Sequence, residues 1–190
     1  AMPMLLLAGP AAEPWTVADL KSFLRVEHDA DDAVIASLLT AARAQIEAWT
    51  GKMLLAQRWR LVLDAWPRDG RIVLRGGPLR ALIAVRTYDA RGTAHEVDPG
   101  SFVLDLAADV IAAPRWALPE PGRPVAGIEL DLELGYGTAP DDVPAPLRHA
   151  VRMLAAQWYD NRGDSASGAG AAVLPGGIAA MIAGYRAVAL

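Results

Sequence analysis

Cysteine is absent from the 190 residues. Disulfides and thiolate metal sites are therefore excluded, and the composition suits a reducing compartment. Histidine is scarce: His28, His95 and His149 have no partners at metal-ligand spacing. No cofactor is expected from these residues. An excess of positive charge is also missing. With 18 Lys and Arg against 22 Asp and Glu the net charge is −4, which disfavours a bulk phosphate-neutralising surface. No apolar run approaches the roughly 20 residues of a membrane span, so no membrane partner is expected. Met4–Ala8 is too short for a signal-peptide core, and no positive charge precedes it. Gly-x-Ser-x-Gly, P-loop and Cys/His nucleophile patterns do not occur. Gly135-Tyr136-Gly137 lacks the spacing of a dinucleotide fingerprint.

What is present is apolar and periodic. Hydrophobic residues make up 53%, enough for a sizeable core in a single domain. The best-specified helix lies in Asp141–Asp164. Asp141 and Asp142 precede it, where negative charge suits exposed N–H groups. Pro144 and Pro146 fit its entry, because proline has no N–H to lose there. Leu147, Val151, Leu154 and Trp158 recur on one face, and Gly163 offers a stop.

Upstream, Thr16 and Asp19 have capping-box spacing before Leu20, Phe23 and Leu24. Asp29, Asp31 and Asp32 open a second helix carrying Ile35, Leu38, Leu39, Ala42, Ile46 and Trp49, closed by Gly51. From Leu54 the period changes. Gln57–Trp66, Arg71–Leu74, Leu82–Tyr88, Thr93–Val97, Phe102–Leu106, Asp109–Ile111 and Ile128–Leu134 read as strands. Ala113–Val125 carries Pro114, Pro119, Pro121 and Pro124 and reads as a loop.

The expected fold is α+β: a small helical bundle with an antiparallel β-rich insertion between the second and the long third helix, plus a C-terminal tail. The divisions are an N-terminal arm (1–15), a body (16–162), a flexible linker (163–177) and an apolar end segment (178–190). Within the body, helices are expected over 16–27, 31–50 and 146–161, and the insertion over about 55–135. A tail that apolar on a small-residue tether is unusual for a monomer.

Two groups of residues invite a chemical reading. Glu129, Asp131 and Glu133 alternate along one strand, so their carboxylates share a face. Carboxylate pairs serve glycoside hydrolysis, but three between Ile128, Leu130, Leu132 and Leu134 favour a solvated sheet face. Arg58, Arg60, Arg71, Arg75, Arg80 and Arg86 interleave with Trp59, Trp66 and Tyr88. That pattern describes either a nucleic-acid surface or an ordinary two-faced strand. His149, beside Arg148, reads as an exposed polar residue. Without a catalytic constellation, the profile favours an assembly protein over an enzyme.

The order of these signals resembles the head–tail connector (adaptor) family of tailed bacteriophages and phage-derived gene transfer agents. The resemblance covers about Val17–Arg162. It rests on the opening helix Val17–Arg25, the alanine-rich Ala42–Leu54 with its Glu and Thr-Gly, and the strand Gln57–Trp66. It continues through the Pro78–Asp89 hairpin with Gly92. Leu134–Arg162 follows, with Gly-Tyr-Gly, an acidic loop, Val-Pro and a Trp-Tyr helix. The resemblance implies a non-enzymatic ring, commonly a dodecamer, docked under a portal protein and followed by a stopper or tail-completion protein. DNA would be only a passing occupant of its channel. The expected location is the head–tail interface of a virion or virion-like particle, after assembly in the bacterial cytoplasm. On this reading Ile178, Met181, Ile182, Tyr185, Arg186 and Leu190 form an anchor for the portal or a neighbouring subunit. Glu129, Asp131 and Glu133 would face the lumen or a subunit interface. A carboxylate hydrolase and a DNA-binding module on the Arg/Trp strands stand as alternatives.

Overall fold

The computed structural model describes residues 3–161 and 175–186 of the chain. It is α+β and divides into two units. One is helical, from Ala12–Leu55 and Gly137–Leu190; the other is built of strands, from Ala1–Ala11 and Ala56–Tyr136.

The helical unit begins with α1 (Val17–Leu24). Thr16 Oγ1 accepts the Asp19 N–H at 3.1 Å, and the Asp19 carboxylate accepts the Thr16 N–H at 3.0 Å. This reciprocal capping satisfies two donors that the first turn cannot. The Thr16 hydroxyl, which donates to the Asp19 carboxylate at 2.6 Å, and then the Thr16 N–H hold the Asp19 carboxyl below its ordinary range. α2 (Asp32–Thr50) ends at Gly51, whose φ of 69° lets its N–H reach the Glu47 carbonyl. α3 (Ala145–Asp160) packs against α2, and α4 (Gly176–Ile182) packs against α3. Leu20, Ile35, Leu39, Ala42, Ile46, Leu147, Val151 and Leu154 are all buried. Leu38, one position round from that stripe, is half-buried.

Charged groups close the ends of this unit. Lys21 bridges Asp29 and Asp32, and Tyr159 donates its hydroxyl hydrogen to Asp31 at 2.6 Å. Inside, Arg43 joins Glu47 to Glu13 at 2.7 Å each, and Glu47 accepts the Leu54 N–H. Asp141 and Asp142 stand earlier than expected from the sequence. They belong to a separate 3-10 turn, Pro140–Asp142, and Pro144 occupies the cap of α3. Val143 and Pro144 adopt extended angles that insert a break before the helix, so Asp142 accepts the Ala139 N–H of its own turn while Asp141 pairs with Arg148 of α3. Gly163 lies outside the described residues.

The second unit holds a five-stranded antiparallel sheet in the order β1-β2-β8-β4-β5. The strands are β1 (Met4–Ala8), β2 (Gln57–Leu63), β4 (Leu79–Tyr88), β5 (Ala94–Val97) and β8 (Ile128–Leu134); β3, β6 and β7 lie elsewhere. β8 sits at the centre. Ile128, Leu130, Leu132 and Leu134 are completely buried on one face. Pairing sets Leu61 and Val85 on either side of Leu130, so the apolar face is continuous across three strands. β1 lies in the stretch read as an arm. Its leucines show no alternation, and its partner β2 is some fifty residues away, so no local signal marks it. β2 stops at Leu63, short of the expected Trp66, whose indole N–H turns to the Pro119 carbonyl at 2.8 Å.

A three-stranded sheet, β3-β7-β6, completes the unit, with β3 (Arg71–Val73), β6 (Val103–Asp105) and β7 (Val110–Ala112). Gly70 enters it with φ 69°, and a Cβ there would strike the Ala113 carbonyl oxygen. Its own carbonyl accepts the Ala113 N–H at 3.0 Å. Gly70→Ala is therefore expected to destabilise the protein by more than about 1 kcal/mol. A denaturant midpoint unchanged from wild type would show that this turn tolerates a side chain.

Candidate assembly surfaces

The second face of the five-stranded sheet is a charged ladder. Period-2 geometry that buries the leucines of β8 puts Glu129, Asp131 and Glu133 on the opposite side. In register, Arg58 lies across from Glu133 and Arg60 from Asp131 on β2, while Arg86 lies across from Glu129 on β4. Arg60 grips Asp131 with two bonds, Nε to Oδ1 at 2.7 Å and Nη2 to Oδ2 at 3.0 Å. Arg86 adds a third at 2.9 Å. Glu129 accepts the Tyr88 hydroxyl at 2.9 Å and lies 3.3 Å from Arg60. Arg80 binds Glu133 at 2.8 Å and reaches the Tyr136 carbonyl at 3.3 Å.

Electrostatics follow from this geometry. The Arg60 hydrogen bond holds the Asp131 carboxyl below its ordinary range against the opposing effect of burial, with Arg86 assisting. Asp131 correspondingly raises Arg60. Burial, then the hydrogen bond to Glu129, raises the Tyr88 hydroxyl. The stripe expected to be acidic and solvated is thus neutralised in place by arginines of both neighbouring strands. A hydrolytic pair needs one carboxyl raised to act as an acid, and Asp131 is driven the other way. Arg60, Arg80 and Arg86 are consumed by the carboxylates, and Trp66 is buried. The Arg/Trp pattern is therefore mostly internal pairing; Arg58, Arg71 and Arg75 remain exposed.

Sequence reading missed Arg60, Arg80, Arg86 and Tyr88 as partners of the carboxylates. A signal existed: arginines at alternate positions on β2 match carboxylates at alternate positions on β8. Which strands meet was not written locally.

In the helical unit, two guanidinium groups lie against the Trp15 ring, Arg148 at 4.1 Å and Arg152 at 4.5 Å from its centre. Its indole N–H donates to the Arg148 carbonyl at 2.6 Å. Arg152 also donates to His149 Nδ1 at 3.0 Å, so His149 is half-buried and engaged where an exposed residue was expected.

The terminal helix α4 seats Ile178 and Ile182 in its own unit, at 3% and 0% exposure. Ile178 and Met181 line a groove with Phe23, Met153 and Ala156. Met181 and Tyr185 are half-buried, and Arg186 is exposed. Residues 163–174 of the expected linker, and Leu190, lie outside the described residues.

Carboxylates held by arginines across the sheet, and exposed apolar side chains such as Leu6 at 54% and Trp116 at 89%, suit a structural role in assembly. The family model for the phage gp6-like head–tail connector protein matches residues 15–98. The chain is also similar over its whole length to chains in three solved particle structures. One, the neck of an empty GTA particle computed with C6 symmetry, is 32% identical over 97% of that chain, with TM-score 0.80. A second, from the virion of a native gene transfer agent (GTA) particle, is 33% identical over 97% of its chain, with TM-score 0.79. The third, the neck of a native GTA particle computed with C12 symmetry, is 32% identical over 97% of its chain, with TM-score 0.75. No curated protein sequence is significantly similar to it. The chain belongs to the phage gp6-like head–tail connector family, and its role is structural, in the neck of a phage or gene transfer agent particle.

Proposed function

We propose that this chain is the adaptor ring of the neck: copies of it form a closed ring, commonly of twelve, under the portal, and pass the DNA channel on to a stopper or tail-completion protein. The observation that carries this reading is the end-to-end similarity to neck chains at 32% identity, one of them in a neck computed with C12 symmetry. Assembly takes place in the bacterial cytoplasm, DNA passes through without specific binding, and no catalytic step is required. Residues 16–162 are the connector body, with the bundle and the sheet as working parts.

Two surfaces serve the contacts. Ile178 and Ile182 seat α4 on α3, which leaves Met181, Tyr185 and Arg186, with Leu190 beyond, as the anchor toward the portal or a neighbouring subunit. The ladder of Glu129, Asp131 and Glu133 faces the lumen or a subunit interface with its charge compensated, a surface with little grip on phosphate.

Disrupting the gene tests the reading. The expected result is filled heads without tails, restored by the wild-type chain supplied in trans. Tailed, DNA-delivering particles in the disrupted strain would refute it. Tyr185→Ala with Arg186→Glu should leave the thermal midpoint within about 2 °C, since surface changes rarely exceed about 0.5 kcal/mol. Incorporation into particles should fall at least tenfold; unchanged incorporation would remove the anchor from the account.

A further inference from the structure

α4 is seven residues long and has no side-chain cap at its start. A helix that short does not hold its shape alone in water. It is held by its seat on α3, where Ile178 and Ile182 are 3% and 0% exposed. The groove at that seat shows how the two helices meet. Asp160 and Asn161, at the end of α3, line it together with Pro175 and Gly177, at the start of α4. The end of one helix thus lies beside the start of the next.

Helices placed this way are ordinarily joined by about 2–8 residues. Here 162–174 stand between Asn161 and Pro175: thirteen residues, nine of them glycine, alanine or serine. Closing a longer loop costs more chain entropy and adds no contact between α4 and its own α3. What the extra length gives α4 is reach. Thirteen residues span at most about 45 Å, more than the roughly 30 Å diameter of a small domain.

We infer that in the ring each copy passes α4 to the next, where Ile178 and Ile182 fill the seat on the neighbour's α3. The inference rests on the ring reading above and names the element that links its copies. The occupant of the seat is visible in the structure: it is α4, and identical copies carry identical seats. Exchange therefore buries the same side chains and needs no second complementary surface, which makes swapping a low-cost route to assembly. Passed from copy to copy in one direction, it is a head-to-tail contact and closes in a ring. A free copy keeps its own α4, so the seat is covered before assembly as well.

Cysteine is absent from the chain, so introduced thiols are the only ones. Gln157 and Gly177 line the same groove and are exposed, and a Cβ at Gly177 meets nothing within 4 Å. Gln157→Cys with Gly177→Cys is placed in the full chain, and purified particles are treated with a short bismaleimide. The seat brings the two thiols together whichever copy supplies α4, and the link records which copy did. The expected result is a ladder of covalent multimers from particles and a product of monomer size from the free chain. Each single variant stays monomeric in both. Particles in which both thiols are consumed and the product still runs at monomer size would overturn the inference, because α4 then stays on its own copy. Met153→Cys with Met181→Cys, in the same groove, gives the same readout if the first pair is kept out of particles. A wild-type chain missing from purified particles would instead defeat the connector reading before any cross-linker is added, so the two failures are distinguishable.

Discussion

Leu154→Ala is expected to lower the unfolding free energy by about 2–5 kcal/mol. Leu154 is 1% exposed and lies on α3, the helix that packs against α2. Truncation removes three carbons and leaves a void that neighbours fixed by helical geometry cannot easily fill. Val151 and Leu147 lie one and two turns earlier on the same stripe, both fully buried. The loss should appear as a lower denaturant midpoint with an unchanged slope. A midpoint within about 0.5 kcal/mol of wild type would show that the bundle has another core. The predicted size also sets a biological expectation: with total stability of about 5–15 kcal/mol, this one change should reduce the amount of folded chain available for assembly.

Asp131→Ala is expected to approach the same size by a different route. It removes the closer of the two carboxylates that Arg60 and Arg86 share and leaves them only Glu129, at 3.3 and 3.8 Å. Removing one partner of a fully buried pair costs about 3–5 kcal/mol. Here the arginine side chains keep 27% and 24% of their surface, so solvent screening brings the cost below that figure. The pH dependence has a definite sign. The folded-state carboxyl of Asp131 is depressed, so its contribution is complete above the ordinary value of about 3.9 and is lost as pH falls below it. Wild type should therefore lose stability on acidification below about pH 4, and Asp131→Asn should show a shallower acid limb. An acid limb identical in the two proteins would mean that the ladder does not couple to folding. Asp19, held low by Thr16, adds to the wild-type limb with the same sign.

These two sites also show what a sequence discloses. The helices were legible because their signals are local: the reciprocal cap of Thr16 and Asp19, the left-handed Gly51, and the spacing of Leu147, Val151 and Leu154. β8 was legible by alternation. The charge ladder was not, because a carboxylate on β8 gives no notice of which strand will lie beside it. Asp131 and Arg60 are 71 positions apart. β1 escaped for a related reason: five apolar residues fit an arm, a buried strand or an edge equally well, and only pairing with β2 decides. The seat of α4 on α3 was also a tertiary fact, since Ile178 and Ile182 show an apolar face without naming its receiver. Composition and patterning together pointed toward assembly, and the resemblance carried the reading on to the neck.

The central claim is that many copies of this chain surround the neck axis of a particle. Cryo-electron microscopy of particles from the native host, reconstructed around the neck, measures this most directly. The account predicts a ring of density, repeated with the symmetry of the neck, into which the bundle of α1, α2 and α3 and the five-stranded sheet fit as this chain. A complete neck whose density is fully occupied by other proteins, with no ring of this fold, would contradict it.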